Sequence, residues 1–196
     1  CKLGELIDVV NGFAFKSDEL NNEVGIPVIK ISNIKSSYID LKDTQKVSYN
    51  TTKSMEKYMV KKGDVLISMT GSHMTQINSA VGKVGRYFQD TMALINQRVC
   101  NIKVKEQFKF KEYIYLFMKQ KETQQELLNG ATGSANQANI SAELINELKI
   151  IKPSNDVLEK FEFLVNNLYK QIYIKKEENI RLNVLKDILL AKLSRG

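Results

Sequence analysis

Cysteine and histidine are nearly absent from this chain: Cys1, Cys100 and His73 are the only ones in 196 residues. A tetrahedral zinc site takes about four such ligands and a disulfide framework takes more cysteine, so both are excluded, and a reducing cytoplasm is the expected compartment. Proline is equally scarce. Neither Pro27 nor Pro153 follows an Asn or adjoins another Pro, which rules out the Asn-Pro-Pro-aromatic motif of an amino-methyltransferase. No stretch approaches the roughly 18 apolar residues of a membrane span, and residues 1–30 alternate charge and apolarity too finely for a signal peptide. Gly-x-Gly-x-x-Gly and Gly-x4-Gly-Lys-Ser/Thr are both missing, so dinucleotide and P-loop sites have no support. Gly82-Lys83-Val84-Gly85 is too short for either and marks a bend in a strand. Beginning at Cys rather than Met, the chain reads as a fragment of something longer.

Nucleophilic catalysis would have to recruit His73. Ser68, Ser72 and Ser79 are near it in sequence, but no third group is placed to orient the imidazole. The carboxylate pairs Asp18/Glu19 and Glu177/Glu178 read as helix-end or solvent-face charges. No catalytic constellation emerges, and the chain is expected not to be an enzyme.

What is present is a globular composition, 43% hydrophobic and 26% charged, with a net charge of +7. The surplus is localised. Residues 61–111 hold nine bases (Lys61, Lys62, Lys83, Arg86, Arg98, Lys103, Lys105, Lys109, Lys111) against three acids (Asp64, Asp90, Glu106), which leaves +6. Residues 154–196 hold eight bases against six acids. A basic body joined to a near-neutral tail describes an anion-binding surface attached to something else; a solvated, Lys-rich surface is the plainer alternative.

Up to about Lys105 the pattern is short strands with polar connections. Ile26–Ile31, Val65–Met69, Ala80–Phe88 and Arg98–Val104 read as strands, with Gly63-Asp64 turning into the second. From Phe110 to Leu128, Phe110, Tyr113, Ile114, Phe117, Gln124, Leu127 and Leu128 sit largely on one face and predict one helix, stopped by Asn129-Gly130. Ala131–Asn139 is small and polar, with no core to offer. Ser141 can cap a helix over Ala142–Leu148, and Lys149–Ile151 reads as a closing strand. Pro153-Ser154-Asn155-Asp156 then precedes a helix from about Val157 to Leu193, roughly 55 Å long at 1.5 Å per residue. Its seven-residue pattern places Phe161, Leu168, Lys175, Leu182 and Leu189 at a, and Val165, Ile172, Asn179 and Leu193 at d; Leu185 flanks the same stripe. A helix this long with one apolar stripe calls for a partner, and a polar break such as Lys175/Asn179 commonly fixes register. The alternative is a helix folded back on its own domain. The expected architecture is α+β: a β-rich domain over residues 1–153 with short helices, then a long coiled-coil helix over 154–196.

The polar loops carry the groups that read nucleic acid: amides for adenine, cations for guanine, hydroxyls for phosphate. Candidates for base or backbone contact are Lys30, Asn33 and Lys35 at the end of a strand, Ser72, His73, Gln76 and Asn78 in the loop after Thr70, Arg98, and Asn136 and Gln137. Lys83 and Arg86 flank a strand in the charge-dense zone and suit phosphate.

Several segments occur in a recognisable order. Leu3-Gly4-Glu5-Leu6 is followed by Asn11-Gly12-Phe13-Ala14-Phe15-Lys16-Ser17, then Ile26-Pro27-Val28-Ile29-Lys30-Ile31-Ser32-Asn33-Ile34. Gly63-Asp64-Val65-Leu66-Ile67-Ser68-Met69-Thr70-Gly71, Gly82-Lys83-Val84-Gly85, Asn96-Gln97-Arg98-Val99 and Ala131-Thr132-Gly133-Ser134 come next. Together with the terminal Leu189–Gly196 they resemble a target recognition domain and conserved helix of the specificity subunits of type I restriction–modification enzymes. The departure is Pro153-Ser154-Asn155-Asp156-Val157-Leu158, where the family often carries Pro-Pro-Leu-x-x-Gln.

The resemblance implies a cytoplasmic, non-catalytic subunit that reads one half of a bipartite site in double-stranded DNA. It implies methyltransferase (modification) and restriction subunits as partners, with no membrane involved. It also implies a second recognition half, either another copy of this chain or the remainder of a longer subunit. Phe161, Leu168, Ile172, Leu182, Leu185 and Leu189 would line the spacer and dimer helix. The chain itself would hold no cofactor, since S-adenosylmethionine, ATP and Mg would belong to the partner subunits. Three other readings stand beside this one: a coiled-coil interaction module without DNA readout, the specificity part of a related type II system, and an unfamiliar enzyme built around His73.

Overall fold

The computed structural model describes residues 1–20, 23–50, 55–72, 81–108, 110–134 and 137–194. The chain divides into two compact units, Cys1–Lys152 and the part from Pro153 onward. The first unit holds eleven strands among its described residues: β1 (Ile7–Asn11), β2 (Ile26–Ile29), β3 (Lys46–Val47), β4 (Met59–Val60), β5 (Val65–Ser68), β6 (Thr70–Gly71), β7 (Val84–Arg86), β8 (Ala93–Ile95), β9 (Val99–Val104), β10 (Thr132–Ser134) and β11 (Gln137–Asn139). With them go three helices, α1 (Lys111–Lys119), α2 (Lys121–Asn129) and α3 (Ala142–Glu147); the second unit is α4 (Asn155–Leu193). The α+β class read from the sequence is the one observed.

The strands form three sheets, ordered β1-β9-β5-β7, β3-β2-β8-β4 and β10-β11-β6. The first is antiparallel throughout. In the second, β2 and β8 run parallel, with Val28 opposite Leu94 and Ile29 opposite Ile95. Successive side chains on a strand point to opposite faces, so this sheet buries both. Ile29 and Ile95 join Leu66, Val99, Val60, Ile39 and Tyr87 in one core. Val28 and Leu94 face the other way, into a cluster with Leu20, Ile26, Val47 and Met55. Each fully buried Ile, Leu or Val stabilises the fold by about 1.5–3 kcal/mol. All four residues of β5 are buried, as a short apolar run bounded by turns predicts. Gly12 is where the chain crosses between sheets. Phe13 bridges to Asn96, and a Cβ at Gly12 would lie 2.2 Å from the Asn96 carbonyl oxygen, which only glycine avoids.

Four local expectations are corrected. Of the strand predicted over Ala80–Phe88, Ala80 lies outside the described residues, and among the described ones it is confined to Val84–Arg86: Gly82 takes a left-handed φ of +71° just before it, and Tyr87 turns inward to donate its hydroxyl to the Thr91 carbonyl at 2.8 Å. The single helix predicted from Phe110 is two, broken at Gln120, whose extended backbone ends α1 and begins α2. The buried positions explain the break. Ile114 and Met118 share a face, as do Thr123 and Leu127, but the five-residue step from Met118 to Thr123 would rotate a continuous helix by about 140°. Breaking at Gln120 returns both faces to the core. Ala131–Asn139, expected to offer no core, contributes the β10–β11 hairpin with Ala138 buried. Lys149–Ile151 forms only a bridge from Lys149 to Lys2, with Leu3 and Ile150 hydrogen-bonded to Leu148 and Cys1 beside it.

Ser141 caps α3 as its position suggests, its hydroxyl accepting from the Leu144 amide at 3.2 Å. The helix α4 runs 39 residues, roughly 58 Å. Leu168, Ile172, Leu182, Leu185 and Leu189 are exposed along it; Phe161 is half-buried. The heptad stripe is only part of the pattern. Ile180, Val184 and Ile188 are also about half exposed, and at 100° per residue they lie on roughly the opposite side from Leu182, Leu185 and Leu189.

Candidate nucleic-acid interface

The C-terminal end of β5 gathers residues that are distant in sequence. The Ser68 amide donates to the Lys83 carbonyl at 3.0 Å, and the Ser68 carbonyl accepts from the Gly82 amide at 3.0 Å. The Met69 amide donates to the Arg98 carbonyl and its carbonyl accepts from the Ile140 amide, both at 2.9 Å. Two consecutive buried residues thus fix the backbone at Lys83, at Arg98 and at the end of the β10–β11 hairpin. The buried Ser68 hydroxyl donates to the Thr70 carbonyl at 2.9 Å and aims the chain into β6. In the third sheet Thr70 lies opposite Asn139 and Gly71 opposite Ala138. The strand β6 and the β10–β11 pair, drawn from two separate polar stretches of the sequence, are therefore one sheet. Arg98 and Gln137 are exposed there, while Lys83 and Ser72 are half-buried.

The other candidates are placed differently. Asn33 is buried, its Oδ1 accepting from the Lys30 amide at 2.8 Å and its Nδ2 donating to the Asp40 carbonyl at 3.0 Å; both ends of the amide shape the loop. Lys30 bonds Gln45. Lys35 is exposed, with Nζ donating to the Ser32 carbonyl at 2.8 Å. Arg86 lies in the protein, paired with Glu112, their side chains 13% and 2% exposed, and its guanidinium sits 5.4 Å from the Phe88 ring centre. That pair ties α1 to β7. His73, Gln76, Asn78 and Asn136 lie outside the described residues.

The basic run 61–111 is not one patch. β9 pairs with β5 so that Ser68 faces Val99 and Val65 faces Ile102, which puts Lys103 and Lys105 at the other end of the ladder from Arg98. There a cleft of about 470 Å³ is lined by Lys61, Lys103, Lys105 and Lys111, but also by Asp8, Glu56, Asp64 and Glu106. Four of the nine bases thus sit beside four carboxylates, of which Asp8 and Glu56 come from outside the run, while Lys83 and Arg98 lie at the opposite end of the ladder. Cys100 is buried with its thiol 2.8 Å from Asn11 Oδ1, and burial pushes its pKa up to about 12, so it is a neutral core group at neutral pH. Among the described residues no cluster of three or more His, Cys, Asp or Glu could hold a metal, and no helix is long and apolar enough to cross a membrane.

Sequence reasoning missed Glu112, and from the amide-rich segment it named Asn136 and Gln137 but not Asn139 as contacts. Nothing in the sequence marks a glutamate in a first helical turn as buried. Asn139 had a signal: the alternation Gln137-Ala138-Asn139 turns both amides away from a small residue that can go inside.

Comparisons with known proteins follow the same geometry. The type I restriction modification DNA specificity domain model matches residues 1–184. The specificity subunit of the type I restriction enzyme EcoBI of Escherichia coli is 32% identical over 114 residues, which span 58% of this chain and 20% of that protein. The HindI specificity subunit of Haemophilus influenzae is 28% identical over 85 residues, 43% of this chain and 18% of that protein. Among solved structures, the HsdS subunit from Thermoanaerobacter tengcongensis superposes with a TM-score of 0.58 at 15% identity, covering 88% of this chain and 37% of that one. The type I S subunit from M. genitalium gives 0.51 at 17% identity, covering 90% and 42%. The matched stretch thus spans 18–42% of the length of each of these relatives.

Proposed function

Since the chain belongs to the type I restriction modification DNA specificity domain family, we propose that its first unit reads one half of a bipartite site in double-stranded DNA. The observation that carries this is the convergence, at the end of β5, of Lys83, Arg98 and the amide-bearing β6–β10–β11 sheet. Cations at the rim position the duplex through phosphate, and amides and a guanidinium read base edges. Of the candidate cations, Lys83, Arg98 and Lys35 remain the contacts to test. Arg86 is held by Glu112 and Asn33 by its own loop, so both act by shaping the surface.

The helix α4 serves, in this reading, as spacer and dock. Its two opposite apolar stripes, Leu182/Leu185/Leu189 and Ile180/Val184/Ile188, suit two helical neighbours at once: a second recognition half on one side and the methyltransferase subunits on the other. Restriction subunits would join through that assembly. The second half is another copy of this chain or the rest of a longer subunit. Catalysis, with S-adenosylmethionine, ATP and Mg, belongs to the partner subunits, and the work is done in the cytoplasm.

A mobility-shift titration on random duplexes at two salt concentrations tests the reading. Binding should weaken steeply with salt, and Lys83→Ala should flatten the slope of log Kobs against log salt by about 1. Unchanged affinity and slope would remove Lys83 from the interface.

A further inference from the structure

The third sheet is polar on one face only. Ala138 is turned inward, so its neighbours Gln137 and Asn139 point to the opposite face, buried at the Thr70 hydroxyl and exposed at Gln137. Asn139 lies between Thr132 of β10 and Thr70 of β6. Gln137 is exposed and Asn139 half-buried, and Gln137 Nε2 donates to Asn139 Oδ1 at 3.3 Å. Gly133 of β10, opposite Ala138, has a φ of +138°; a Cβ there would lie 2.0 Å from the Gln137 carbonyl oxygen. The two amides are held side by side on a paired strand rather than on a free loop.

That arrangement matters because an unrestrained glutamine turns half a revolution about its last torsion and exchanges donor for acceptor. With Asn139 Oδ1 accepting one N–H of Gln137, turning the Gln137 amide alone would set oxygen against oxygen. Gln137 is left presenting Oε1 and its second N–H outward, an acceptor and a donor side by side. In the major groove adenine offers the complement, the N6 amino donor and the N7 acceptor. We infer that Gln137 is a specificity-determining residue that contacts one adenine bidentately, and that Asn139 is a positioning residue that fixes which way the Gln137 amide faces. The inference rests on the DNA-reading role proposed above and names the base chemistry of one part of that site.

Selection of bound duplexes from a random pool by the full chain tests it. The wild-type chain should enrich an adenine at one fixed position. Gln137→Glu, which only accepts, should move the preference there to cytosine, whose N4 amino group is a donor. Because that variant gains a preference, a folding defect cannot mimic it. Asn139→Ala should spread the preference at that position over several bases while leaving the salt slope unchanged; Asn139→Asp, still an acceptor for Gln137, should keep adenine. Gln137→Ala should lower affinity for the enriched duplex roughly 5- to 150-fold. A Gln137→Glu chain that enriches the same bases as wild type overturns the inference, as does a wild-type chain that binds duplexes with no preference, while DNA binding itself stands. A wild-type chain that binds no duplex at low salt overturns the broader reading, and this inference with it.

Discussion

The two units of the chain handle apolar residues in opposite ways. In Cys1–Lys152 nearly every large aliphatic side chain of β2, β5, β8 and β9 is buried, and buried polar groups such as Ser68 and Asn33 hold turns and clamps. In α4 the reverse holds: Leu168, Ile172, Leu182, Leu185, Leu189 and Leu193 stand 55–79% exposed, and charge is balanced. A unit whose core is closed can meet DNA on its own surface. A helix that leaves two apolar stripes open is a component, and its fold is completed by whatever covers them. In the proposed function the contrast separates recognition from assembly along one chain.

That contrast breaks most readily at the Arg86–Glu112 pair. If the first unit is held from within, Glu112→Ala leaves Arg86 without its carboxylate in a site where the two side chains are 13% and 2% exposed. The expected loss is about 3–5 kcal/mol of stability, read by urea unfolding of the sheet unit; a loss below about 1 kcal/mol would mean that α1 is held by other contacts. Ser141→Ala sharpens the same contrast with a smaller step. Removing the α3 cap should cost about 1 kcal/mol in that unfolding transition, with the helical signal of α4 unmoved. A coupled loss in α4 would show that the two units do not unfold separately.

Much of this was legible in the sequence, and the failures have physical causes. β5, β9, α3 with its Ser141 cap, and α4 were readable because each is specified locally, by a turn, by period-two alternation, by a capping hydroxyl or by a long heptad. The break at Gln120 was not, since the faces of α1 and α2 are decided by where the sheets lie, and a periodic pattern extends smoothly across the gap. Ala131–Asn139 looked like a loop because its residues are small and polar; it is a hairpin because β6 supplies a third strand. Charge counting placed +6 in residues 61–111 but could not see Asp8 and Glu56 brought beside Lys103 and Lys105. The reading surface was therefore half visible: its residues stood in the sequence, and their convergence did not.

The division of labour is tested most directly by sedimentation velocity of the chain carrying Leu182→Asp and Leu189→Asp, bound to a duplex enriched by the wild-type protein. If the second recognition half is another copy of this chain, wild type should carry two chains per duplex and the variant one, with the salt slope per chain preserved. Two chains per duplex would put the association surface outside α4, and no binding by a variant whose sheet unit is still folded would show that recognition depends on the helix.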